Sequence, residues 1–109
     1  MNAVILEKNC EKSLVKRLLA HAVEAGASDL HINVGMPPVL RIHTELSQTK
    51  DEPITAQQAS EMVLEMVGPE RFKVFQEHRD YDFSTTIEGG YRFRVNAHYQ
   101  KETIALSFR

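Results

Sequence analysis

The chain has 109 residues, 42% hydrophobic and 26% charged, with 13 Lys and Arg against 15 Asp and Glu for a net charge of −2. That is enough for one globular domain with its own core, and it lacks the overall basic field that advertises nucleic acid. Cys10 is the single cysteine, so no internal disulfide forms, which fits a reducing compartment; no apolar run reaches the roughly 18–20 residues that cross a bilayer.

The opening MNAVILEKNCEK has too short an apolar stretch, with acids beside it, to serve as a signal peptide. It reads as a flexible lead-in over residues 1–12. Ser13 then caps a predicted helix from Leu14 to Ala25. Val15, Leu18, Leu19, Ala22 and Val23 give it one apolar stripe, and Gly26 is a natural terminator. Two short strands follow. Leu30, Ile32 and Val34 alternate with Asp29, His31 and Asn33; after the turn signal Gly35-Met36-Pro37-Pro38 comes Val39 to His43, extended past a kink at Thr44 by Glu45-Leu46-Ser47.

Thr55 and Gln58 have the spacing of a capping box, and Ala59, Met62, Val63 and Met66 follow at helical intervals as core residues. Gly68 ends that helix. Pro69 starts a short one with Phe72 and Phe75 on one side. Tyr81 to Thr85 alternates again, and Glu88-Gly89-Gly90 signals a hairpin. The longest strand signal is Tyr91 to Gln100. Tyr91, Phe93, Val95, Ala97 and Tyr99 point one way, and Arg92, Arg94, Asn96, His98 and Gln100 the other. Lys101-Glu102 turns the chain into a last strand from Thr103 to Arg109. Strands cluster and helices cluster, so the class is α+β, with a mainly antiparallel sheet of five or six strands. The chain stops at Arg109 in mid-alternation, which is read as a cut from a longer protein.

With Gln100 opposite Thr103, Arg94 falls opposite Arg109. Like charges so placed destabilise a sheet unless something anionic neutralises them, and arginine suits phosphate through two parallel charge-assisted bonds. The competing reading pairs Arg92 and Arg94 with surface acids such as Asp80 or Asp82. Asp29 reads as an acceptor for backbone near the helix-to-strand turn, and His31 as a structural donor. Neither a metal-ligand spacing nor a Ser28–Asp29–His31 triad is supported. None of the five glycines sits in G-x-x-x-x-G-K-[ST] or G-x-G-x-x-G. No catalytic apparatus is recognisable.

Several of these segments together carry a resemblance. Ala27-Ser28-Asp29-Leu30-His31, then Gly35-Met36-Pro37-Pro38, then Arg41-Ile42-His43, are followed by Asp82-Phe83-Ser84, Tyr91 to Asn96, and Ala105-Leu106-Ser107-Phe108-Arg109. In this order they resemble the N-terminal region of PilT-type ATPases, the type IV pilus retraction motors of the secretion ATPase superfamily. The resemblance runs from about Leu14 to Arg109. It implies a PAS-like N-terminal domain over residues 13–109, within a hexameric ATPase of twitching motility whose Walker motifs lie in a further domain. No catalytic residue and no cofactor is implied for this chain itself; ATP and Mg are expected for the full-length protein.

Carried over by motif, Arg92, Arg94 and Arg109 lie near nucleotide at a subunit interface. Ser28, Asp29, His31, Pro37, Pro38 and Arg41 form a structural motif. The implied partners are the ATPase domains of its own and neighbouring subunits and the inner-membrane platform of the pilus, with a cytoplasmic location, no membrane insertion and no nucleic acid. This chain departs from the family at Thr44, where glycine is usual, and at the glycine-poor turn Lys101-Glu102; both departures concern loop geometry. Two alternatives come from other classes. One is a free-standing PAS-like sensor of a small ligand, the other a single-strand nucleic-acid binder using the aromatics of the Tyr91 to Gln100 strand.

Overall fold

A computed structural model describes residues 13–109; the expected lead-in, with Cys10, lies outside them. Helix α1 spans Leu14–Ala25. The Ser13 hydroxyl accepts from the Lys16 N–H at 3.3 Å, and Gly26 ends the helix at φ 72°. Helix α2, Ala56–Val67, starts on the predicted capping box. Thr55 Oγ1 accepts from the Gln58 N–H at 3.1 Å, while Gln58 Oε1 accepts from the Thr55 N–H at 2.9 Å, so two otherwise orphaned donors are satisfied reciprocally. Helix α3, Pro69–His78, begins on its proline and is fixed by one fully buried residue, Phe75.

Six strands form one sheet: β1 Asp29–Asn33, β2 Val39–Ile42, β3 Glu45–Gln48, β4 Asp80–Thr86, β5 Arg92–Gln100 and β6 Thr103–Phe108. Their order is β3-β2-β1-β6-β5-β4, and every neighbouring pair is antiparallel. The last strand enters the middle, between β1 and β5. It joins the β1–β2–β3 meander to the β4–β5 hairpin, so residues far apart in sequence meet there. Helices α1, α2 and α3 each contribute to the hydrophobic cluster on one face. Val15, Leu19, Val63 and Phe75 pack with Leu30, Ile32, Val95, Ala97, Leu106 and Phe108. The opposite face carries polar side chains, among them the exposed Arg92, Arg94 and Arg109.

Three local expectations are revised. Glu45-Leu46-Ser47 does not prolong β2. The chain reverses at His43-Thr44, and β3 pairs back on β2 with Ile42 opposite Glu45. His43 and Thr44 have φ of 51° and 70°, as a two-residue hairpin turn with two left-handed residues requires; the usual glycine at Thr44 is thereby explained. Tyr91 is not a core residue: it lies before β5, 51% exposed, with its ring against Gly89. Ala105 sits on the polar face yet is buried, because it is small and lies between Asn33 of β1 and His98 of β5. Lys101 takes φ 62° in the β5–β6 turn, where a glycine would be unstrained.

Candidate anion-binding face of the sheet

The register builds the site. Gln100 does pair with Thr103. Counting back along both strands, Arg94 faces Arg109, and the two exchange backbone hydrogen bonds of 3.0 and 2.9 Å. On the far side of β5, Arg94 faces Ser84 of β4, and Arg92 faces Thr86. On the far side of β6, Arg109 lies one position beyond the Leu30–Phe108 pair, which brings it to Asp29; Asp29 in turn faces Arg41 of β2. One row across five strands therefore reads Arg41, Asp29, Arg109, Arg94, Ser84. Alternation puts all five on the polar face.

Asp29 neutralises part of that row. Its carboxylate meets Arg41 Nε at 3.5 Å and Arg109 Nε at 3.7 Å, and it accepts from the Ser28 hydroxyl at 2.8 Å. This differs from the expected backbone role of Asp29. Arg92 Nη2 donates to Ser84 Oγ at 3.1 Å. The Arg94 guanidinium has neither an ion pair nor a hydrogen bond among the described residues. Asp80 and Asp82 are not its partners: Asn96 Nδ2 donates to both, at 2.9 Å each. The asparagine satisfies both acids of β4 and leaves the arginine uncompensated among the described residues. His98 Nδ1 lies 2.9 Å from Asn96 Oδ1 and extends this polar ladder.

Arg92, Arg94 and Arg109 line an open groove of about 770 Å³ with Asp82, Ser84, Asn96 and Ser107. Three guanidinium groups in a concavity with the Ser84 and Ser107 hydroxyls form a set of hydrogen-bond donors with net positive charge. Such a set recognises phosphate or carboxylate. The sequence pointed to the three arginines. It did not single out Ser84, Asn96 or Ser107, whose signal lies in register across two turns rather than in any local motif.

The remaining motif residues are brought to the neighbouring half of the sheet. His31 Nδ1 lies 3.4 Å from Ser107 Oγ. Arg41 Nη1 donates to the Thr44 carbonyl at 3.1 Å, holding the strained turn, and the Arg41 carbonyl accepts from the Ser28 N–H at 2.9 Å. Pro38 is fully buried, and Pro37 precedes it in the β1–β2 connection. Ser28, Asp29 and His31 do not form a triad, since His31 turns to Ser107 and Asp29 to two arginines. Among the described residues, no group of three or more His, Cys, Asp or Glu is arranged to hold a metal ion, and no helix is long and apolar enough to cross a membrane.

No protein-family model matches the chain. It is 33% identical over 95 residues to the type IV pilus retraction ATPase PilT of Pseudomonas aeruginosa, a match covering 87% of this chain and 28% of that protein. It is 31% identical over 94 residues to the type IV pilus ATPase PilU of the same organism, covering 86% of this chain and 25% of that one. The chain thus spans about a quarter of the length of these curated relatives. Among solved structures, the pilus retraction motor PilT with bound ADP superposes with a TM-score of 0.78 at 29% identity, over 91% of this chain and 29% of that one. The Legionella pneumophila ATPase DotB shares the fold, with a TM-score of 0.75 at 22% identity over 87% of this chain and 28% of that one. By sequence and by fold, the chain corresponds to the N-terminal domain of PilT-type secretion ATPases.

Proposed function

We propose that residues 13–109 are the assembly and regulatory domain of a hexameric pilus-retraction ATPase, and that Arg92, Arg94 and Arg109 face the phosphates of Mg-bound ATP at a subunit interface. The observation behind this is the Arg94–Arg109 pair on the polar sheet face, with the Arg94 guanidinium, unpartnered among the described residues, beside a groove. Opposed like charges in the middle of a sheet are unfavourable in the isolated domain. They are useful where a partner brings a triphosphate, because an arginine supplied from outside the catalytic domain stabilises charge on the transferring phosphoryl group. We place the phosphate-binding loops, the ATP and the Mg in the part of the parent protein that this chain does not span. Its partners are then the ATPase domains of its own and adjacent subunits, and through them the pilus platform in the membrane. The location is cytoplasmic.

The test uses the longer protein that contains this chain. Arg94→Ala and Arg109→Ala each lower ATPase kcat at least about tenfold by the precedent for arginines acting in trans, while the hexamer persists on size-exclusion chromatography. Unchanged turnover with unchanged assembly in both variants would remove the role. The sensor alternative finds less support, since the groove lies on the polar face rather than within the helix–sheet core. For the nucleic-acid alternative, Phe93 and Tyr99 pack against the core, so β5 offers no stacking platform on its open face.

A further inference from the structure

Asp29 is the one carboxylate among the described residues in contact with arginine, and its two oxygens are divided. Oδ2 faces Arg41 and the Ser28 hydroxyl, at 3.5 and 2.8 Å. Oδ1 faces Arg109 alone, at 3.7 Å. The Asp29 side chain is only 16% exposed, whereas that of Arg109 is 81% exposed. The carboxylate is therefore fixed within the sheet face, and Arg109 reaches it from solvent. An ion pair so exposed holds its arginine weakly. A phosphate offers the same guanidinium two parallel charge-assisted bonds. Releasing Arg109 does not leave the half-buried carboxylate unpaired, because Arg41 and Ser28 remain on it.

We propose that Asp29 is a resident counterion for Arg109, displaced when a phosphate-type anion enters the groove between Arg94 and Arg109, and that this competition sets the groove's affinity. The inference rests on the reading of the groove as phosphate-facing. To that reading it adds a positioning residue that never touches the anion. With Arg109 on Asp29, Arg94 is the one uncompensated arginine in the row; once Arg109 is released, two guanidinium groups converge on the same anion.

The experiment titrates inorganic tripolyphosphate into the 109-residue chain, with affinity read by calorimetry. It is run near physiological ionic strength, where screening over about 8 Å confines the influence of Asp29 to its neighbours. Asp29→Asn is expected to tighten binding about two- to fivefold, the worth of an exposed ion pair. In an Arg109→Ala background, the same substitution is expected to change affinity less than about 1.5-fold, because the competing pair is already gone. In the wild-type chain, the Asp29 carboxyl carbon resonance shifts as tripolyphosphate saturates the groove. An equal gain with and without Arg109, or no gain at all, overturns the proposal. Should Asp29→Asn not fold, the wild-type resonance decides, and its failure to shift at saturation overturns the proposal as well. A wild-type chain that binds no tripolyphosphate also overturns it, while the interface role of the arginines stands or falls on the ATPase assay alone.

Discussion

Thr44 shows at single-residue resolution what the fold demands and what the sequence supplies. The β2–β3 reversal needs two consecutive left-handed residues, and His43 and Thr44 occupy them at φ 51° and 70°. For a β-branched residue that conformation costs on the order of 1–2 kcal/mol. Thr44→Gly should therefore stabilise the chain by about 1 kcal/mol, part of the gain being offset by the greater freedom of glycine when unfolded. The Arg41 hydrogen bond is kept, since it goes to the Thr44 carbonyl. Urea unfolding with an unchanged slope and a higher midpoint would show this; a lower midpoint would refute it. Asn96 supports an opposite prediction. Its amide donates to Asp80 and Asp82 together, so Asn96→Asp sets three carboxylates side by side. A loss of about 1–2 kcal/mol is expected, from two lost charge-assisted bonds and added repulsion. That loss should shrink at 1 M salt, and a salt-independent loss would mean that repulsion contributes little.

Helix α3 carries the clearest prediction among the elements. Phe75 is its one fully buried side chain. Its ring stacks on Tyr99 at 5.0 Å between centroids, and the Arg79 guanidinium covers the same tyrosine ring at 4.3 Å. Arg79 also donates from Nη2 to the Lys101 carbonyl at 2.6 Å, which ties the end of α3 to the β5–β6 turn. Phe75→Ala should cost about 3–5 kcal/mol, a large share of the 5–15 kcal/mol typical of a domain. Val74→Ala, one residue away and 42% exposed, should fall within about 0.5 kcal/mol of wild type. Similar losses in the two variants would mean that α3 does not hang on Phe75.

The elements also mark the limit of what the sequence made legible. Both caps of α1, the capping box of α2 and the Pro69 start of α3 are local features, and all were readable because their partners lie within four residues. The Gln100–Thr103 turn fixed one register, and with it the Arg94–Arg109 pairing. What the sequence does not reveal is set by contacts between distant strands. The two ion pairs of Asp29 depend on β6 entering between β1 and β5. Ala105 is buried by neighbours on both sides. The hairpin at Thr44 has no local signal, because neither of its residues is the glycine or asparagine that marks a reversal.

For the molecule as a whole, the two faces of one sheet differ sharply in what they carry. One packs against helices α1, α2 and α3; the other carries Arg92, Arg94 and Arg109 along an open groove. If that face exists for a partner, it should cost the isolated domain stability. Arg94 tests this, because it stands directly opposite Arg109 in a hydrogen-bonded pair and has no counterion among the described residues. Arg94→Thr removes the repulsion and keeps a residue suited to a strand. The isolated chain should gain from a few tenths to about 1 kcal/mol at low salt, and the gain should fade at 1 M salt as the charges are screened. The same substitution in the longer protein should lower turnover, a trade of stability against function common at sites built for a partner. An unaltered or reduced Tm for Arg94→Thr at low salt would mean that the arginine is accommodated within this domain, and that its exposure signals no missing anion.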